Sequence, residues 1–161
     1  MEIDSRLLSR GETVVNYPMD AVCEFISAEG CLKKLNDKMV DYKCIKNFED
    51  KSGRVVYMEY KGVWPVANRD FVNVGMHIKE EDGTFYMPSR HCEFGIAEKK
   101  GIVRGVIHIG GYVVKKVDEN SCHVTYISDV DIKGSVPAMI KNMLAQNQGT
   151  IVTKIEPTMK K

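Results

Sequence analysis

No apolar run approaches the ~18 residues needed to cross a bilayer, and the opening stretch Met1 to Gly11 is too polar for a secretory signal. Neither sign of charge is in excess: 23 Lys and Arg stand against 22 Asp and Glu, for a net charge of +1. No global field then favours nucleic acid, and none is expected as a partner. Cys-x-x-Cys and His-x-x-x-His are both missing, and the four histidines (His77, His91, His108, His123) are scattered over different segments, so no metal is expected. The five cysteines are odd in number and irregularly spaced, which argues for reduced thiols and a cytoplasmic compartment. There is no Gly-x-Ser-x-Gly and no glycine loop to cradle a phosphate. His91-Cys92 and Cys122-His123 are sequence neighbours, but adjacent strand residues point to opposite faces, so neither is a thiolate–imidazole dyad. No catalytic residue and no cofactor is assigned.

What is present is β structure with a helical ending. The chain's 161 residues suffice for a sizeable core and are read as one domain over residues 1–161. Ser5 to Asn16 predicts a strand bent at Gly11. Asn16-Tyr17-Pro18 introduces a helix: proline suits its first turn, Asp20 suits its positive end, and Val22, Phe25 and Ile26 share one face. Cys31 to Asn36 predicts a second short helix. From Met39 the period changes to two, giving strands that turn at Lys51-Ser52-Gly53, at Asp82-Gly83 and at Glu119-Asn120. Ile102 to Ile109 and Tyr112 to Val117 read as two strands joined at Gly110-Gly111, and Cys122 to Ile132 alternates cleanly.

Between Val63 and Phe71 the chain reads as a bent crossover. Pro65 denies a donor to any sheet ladder and biases Trp64, the only tryptophan, toward an extended conformation. The last element differs in kind. With Ser135 as N-cap, Val136, Ile140, Met143, Leu144, Asn147, Ile151 and Ile155 recur at helical spacing, predicting one long helix of about five turns with Gly149 as a weak point. Met139 and Met143 flank its apolar face, soft side chains that suit an irregular ligand.

A curled antiparallel sheet followed by one helix implies an α+β architecture in which the helix plugs the concave face and the early helices close one end. If the plug is thinner than the space, a cavity remains. Its candidate polar lining is Glu59, His77, Arg104, His108 and Asn147, with Met139, Met143 and Trp64 as apolar members.

Val63-Trp64-Pro65, Asn68-Arg69-Asp70-Phe71-Val72, Ser89-Arg90, Lys100-Gly101-Ile102-Val103-Arg104, Gly111-Tyr112, Cys122-His123-Val124-Thr125-Tyr126 and Asp131-Ile132-Lys133-Gly134-Ser135-Val136-Pro137 resemble, in order and spacing, the START (StAR-related lipid-transfer) domain. The resemblance covers roughly Val14 to Ile155. It implies a helix-grip fold, with a curved antiparallel sheet holding the C-terminal helix around a tunnel for one lipid. It further implies a monomer that meets membranes transiently, cytoplasmic or peripheral at their surface.

Two departures accompany it. START domains usually begin with a further helix and strand before the segment matching Ser5, and many carry a cavity arginine where this chain has Gly75. Without a cation there, a phosphate fork is not expected at that position, and Glu59 must be neutral, meet His77 or His108, or point outward. An acyl chain contributes about 0.8 kcal/mol per buried methylene, so a lipid is favoured over a small polar ligand. Its release is expected to be gated by the last helix and the segment from Met87 to Gly101. Two other classes stay open. One is a cyclase- or hydrolase-like enzyme using Glu59 with His108; the other is an interaction module with a reduced cavity.

Overall fold

The alternating segments assemble into a single curved sheet. In the computed structural model, which describes residues 5–161, the strands are β1 (Arg6–Val15), β2 (Met39–Asn47), β3 (Gly53–Tyr60), β4 (Arg69–Met76), β5 (Ile78–Lys79), β6 (Phe85–His91), β7 (Val103–Arg104), β8 (Val106–Asp118) and β9 (Ser121–Asp131). Their order is β1-β9-β8-β6-β4-β3-β2, with β5 on β6 and β7 on β4. All pairings are antiparallel except that of β7 with β4.

Three glycines do different work from that expected. No bulge interrupts β1 at Gly11: its ladder with β9 runs without a shift from Arg6–Asp131 to Val15–Cys122. Glycine is needed there because a Cβ would collide with the carbonyl of Gly149 on the last helix. Nor do Gly110 and Gly111 turn the chain. They lie inside one thirteen-residue strand, β8, where Gly111 has φ 142° and a Cβ would strike the Met87 carbonyl of β6. The short β7 is separate from β8.

Four helical elements cover the concave side: α1 (Met19–Ser27), α2 (Cys31–Leu35), α3 (Ala138–Gly149) and α4 (Ile155–Met159). The C-terminal helical stretch is not uniform. It begins after Pro137 rather than at a Ser135 cap, and residues Thr150–Lys154 tighten into a 3-10 segment directly after Gly149. α1, α2 and the end of the chain bury Val22, Ile26, Leu35 and Ile155 against Val114 and Val124 of β8 and β9. Each such side chain contributes about 1.5–3 kcal/mol when fully buried. A second cluster joins Leu7, Met58, Phe71, Val130 and Ile140. A third lies on the convex side, where Val55, Tyr57 and Val72 are covered by Cys92 and Ile96.

No helix among the described residues is long and apolar enough to cross a membrane.

Candidate functional site

Between the two concave clusters lies a cavity of about 410 Å³. Its origin is a row of small residues running across the sheet. Arg54 of β3 pairs with Gly75, Gly75 with Ser89, Ser89 with Gly110, Gly110 with Ser128, and Ser128 with Ser9. Five of these six positions carry at most a hydroxymethyl group, so the sheet there is low. At the β1 end α3 descends onto it: the Ser9 hydroxyl donates to the Ala145 carbonyl at 2.9 Å and the Ser128 hydroxyl to Gln148 Oε1 at 2.8 Å. Toward β3 the helix and sheet diverge. The gap is lined by Val56, Met58 and Phe71 below and by Met143, Leu144 and Asn147 above. Ligand pockets of roughly 300–1,000 Å³, mostly apolar with a few placed polar groups, have this character.

The polar groups in the wall differ in how fully they are occupied. Arg69 is buried, and its guanidinium donates to three carbonyls: Ile132 at 3.0 Å, Lys133 at 3.0 Å and Ala67 at 2.5 Å. It thereby ties the crossover after β3 to the linker that leads into α3; burial lowers its pKa. Arg54 also lines the cavity, and among the described residues its guanidinium's one hydrogen bond goes to the Ser27 carbonyl at the end of α1. His77 stands nearby, its pKa lowered by burial and by the Arg54 charge. Tyr112, only 3% exposed, also belongs to the lining, and its buried hydroxyl has no hydrogen-bond partner among the described residues. Burial, with Tyr126 beside it, pushes that phenol well above its ordinary value, so it remains a neutral donor.

Of the eight residues expected at the cavity, His77, Met143 and Asn147 line it. The other five do not. Glu59 points from the convex face of β3, where Tyr57, Asn68 and Lys99 each donate to its carboxylate at 3.1 Å. Burial opposes its charge, but those hydrogen bonds prevail and hold its pKa below the ordinary value. Glu59 thus has the apolar neighbours its parity implies, on the other side of the sheet. Arg104 is convex too, forked onto the buried Asp70 at 2.7 and 3.1 Å with the Ile96 and Ala97 carbonyls as further acceptors. His108 is the extra residue of a bulge between Ile107 and Ile109 and is exposed. An acid–base pair of Glu59 and His108 is therefore not assembled in the cavity. Trp64 is 90% exposed and Met139 80% exposed, because the crossover and the first turn of α3 aim them outward rather than in.

Of the segment expected to gate the cavity, Met87, Pro88 and Ser89 line it, while Cys92 and Ile96 pack on the convex cluster. The crossover also lines the cavity, through Lys61, Gly62, Val63, Val66 and Ala67. Arg54, Arg69 and Tyr112 were not among the expected lining. For Arg54 the signal was available, since it shares parity with Val56 and Met58. No group of three His, Cys, Asp or Glu among the described residues could hold a metal ion.

Residues 13–160 match the family model of the START domain. No curated protein sequence matches the chain. Among solved structures, the human StAR-related lipid transfer protein 5 is similar with a TM-score of 0.83 at 19% identity, covering 99% of this chain and 84% of that one. The human StarD13 (DLC2) lipid transfer and protein localization domain gives 0.79 at 20%, covering 94% and 76%. More distant is the di-domain ARO/CYC BexL from the BE-7585A biosynthetic pathway, at 0.57 and 8%, covering 95% of this chain and 46% of that one. At these identities the likeness is one of fold.

Proposed function

The chain belongs to the START domain family, and we propose on that basis that it is a non-enzymatic carrier holding one lipid in the cavity between sheet and α3 and exchanging it at a membrane. Lipid binding is the property of the family; the observation that supports it for this chain is the cavity of about 410 Å³ walled by Val56, Met58, Phe71 and Leu144. A dozen buried methylenes would supply about 10 kcal/mol of gross transfer energy, enough to retain a ligand after the costs of association.

Release is assigned to the mouth. The crossover and the α3 linker are joined by the Arg69 guanidinium, so they move together if they move. Both present exposed apolar side chains: Trp64 beside the lining residues Val63 and Val66, and Met139 one turn before the lining residue Met143. A tryptophan so placed suits the interfacial region of a bilayer. The carrier acts as a monomer in the cytoplasm, visiting membranes transiently.

Native mass spectrometry of the purified protein tests this: a co-purified lipid at one per chain is expected. Met143→Trp, which fills the cavity from a half-exposed position, should abolish lipid uptake while the melting curve is kept. Protein that shows no mass shift across a panel of phospholipids, sterols and single-chain amphiphiles would leave the carrier reading without support.

A further inference from the structure

The chain as a whole is almost neutral, but its cavity is not. The ionisable side chains of the lining with permanent charge are Lys38, Arg54, Lys61, Arg69 and Lys154 against the single carboxylate of Asp37. The bias matters most at Arg54. Arg69, the other arginine in the wall, has three carbonyl acceptors. The Arg54 guanidinium has the Ser27 carbonyl alone and no carboxylate within ion-pair distance among the described residues. A guanidinium offers five donors, and a cation facing an apolar cavity without a counter-charge is costly.

The ground beside Arg54 is clear. Its cross-strand partner Gly75 has no side chain, and a Cβ built there would meet nothing nearer than the Pro88 carbonyl at 3.7 Å. The next residue in the row, Ser89, also lines the cavity and brings a hydroxyl. Adjacent strands are ~4.8 Å apart, so a group lying over Gly75 has the guanidinium on one side and the hydroxyl on the other. His77, kept neutral, and the unpartnered Tyr112 hydroxyl add donors in the same wall.

We propose that the ligand is an amphiphile with an anionic headgroup, phosphate or carboxylate, seated over Gly75 and paired with the Arg54 guanidinium. This rests on the carrier reading above and adds the headgroup chemistry. The small-residue row admits the headgroup, Arg54 and Ser89 bind it, and the apolar walls take the chain. Asp37 and Lys38 follow α2, Lys61 follows β3 and Lys154 ends the 3-10 segment, whereas Arg54 is the cross-strand partner of Gly75.

The test compares one acyl chain on two heads. Wild-type protein is titrated with oleoyl lysophosphatidate and with mono-oleoyl glycerol, using displacement of a fluorescent fatty acid. A charge-assisted pair should favour the anionic ligand by about tenfold or more. Arg54→Met should reduce the ratio to about threefold or less, and Gly75→Val, which fills the seat but keeps the charge, should do the same. The valine variant decides if the methionine variant does not fold. Equal affinities in the wild type, or a ratio retained in a folded variant, would overturn the headgroup assignment with lipid binding intact. Failure of both ligands to bind would remove the carrier reading as well. Inorganic phosphate at millimolar concentration should displace nothing; displacement by it as effective as by the lysophosphatidate would make this a simple anion site and overturn the proposal.

Discussion

Replacing Gly11 by alanine tests whether α3 stands on β1. In an open strand that change would stabilise by ~0.4–1 kcal/mol, because the unfolded chain loses freedom. Here the new methyl would fall on the Gly149 carbonyl oxygen. Restoring an ordinary C···O separation of ~3.3 Å requires α3 to rise by about 1 Å or more. Overpacking of this kind costs ~1–3 kcal/mol. The rise also strains the bonds from Ser9 to Ala145 and from Ser128 to Gln148, at 2.9 and 2.8 Å, each contributing ~1 kcal/mol. The sum is about 2–4 kcal/mol, which for a chain of this size lowers Tm by roughly 5–15 °C. Circular dichroism melting reads the effect directly, and its sign is the discriminator: an unchanged or raised Tm would mean that the helix does not rest on Gly11, and the account of the cavity's closed end would fall with it.

Three further outcomes are expected. Arg104→Met strands the Asp70 carboxylate, 1% exposed, without its fork, and should cost about 3–5 kcal/mol in urea unfolding; a midpoint within experimental error of wild type would refute the convex pairing. Trp64→Ala should leave that midpoint unchanged, since the side chain is 90% exposed, yet slow lipid transfer between vesicles; equal rates would remove Trp64 from the membrane contact. For Asp131, burial works against the charge, but hydrogen bonds from Lys133 and Ser5 bring the carboxyl down to about 2 from 3.8. A folded-state pKa below the unfolded one stabilises above the unfolded value and loses that contribution as pH falls toward the folded one. Stability should therefore decline between about pH 4 and pH 2, and Asp131→Asn should flatten that slope.

Much of the fold was legible in the residues. Period-two alternation in β9, the helical face of Val22, Phe25 and Ile26, and the ordered START-like segments led to a curved sheet closed by a helix, as observed. What was hidden depends on which face of a strand is covered. β3 is buried along most of its length on both sides, because Cys92 and Ile96 roof its convex face, so parity could group Glu59 with Val55 and Tyr57 but could not say which group faced the cavity. Gly110-Gly111 resembled a turn because close backbone approach and chain reversal select the same residue. An apolar stripe at helical spacing does not by itself say what covers it: on α3 only Ile140 is buried, and Met143 and Leu144 border the cavity. Arg54 shares parity with Val56 and Met58, but it lies on the strand paired with Gly75 rather than on β4, where the resemblance places a cavity arginine.

The pairing of β1 with β9 carries a consequence for how the protein is made. Ser5 and Asp131 are 126 positions apart, so β1 emerges during synthesis with its partner still to come, and stays unmatched until β9 has been translated. The platform on which α3 settles exists only after that late closure. Until then the apolar residues of β8 and the early helices lack their full complement of neighbours, and a chaperone attending the nascent chain would meet them exposed.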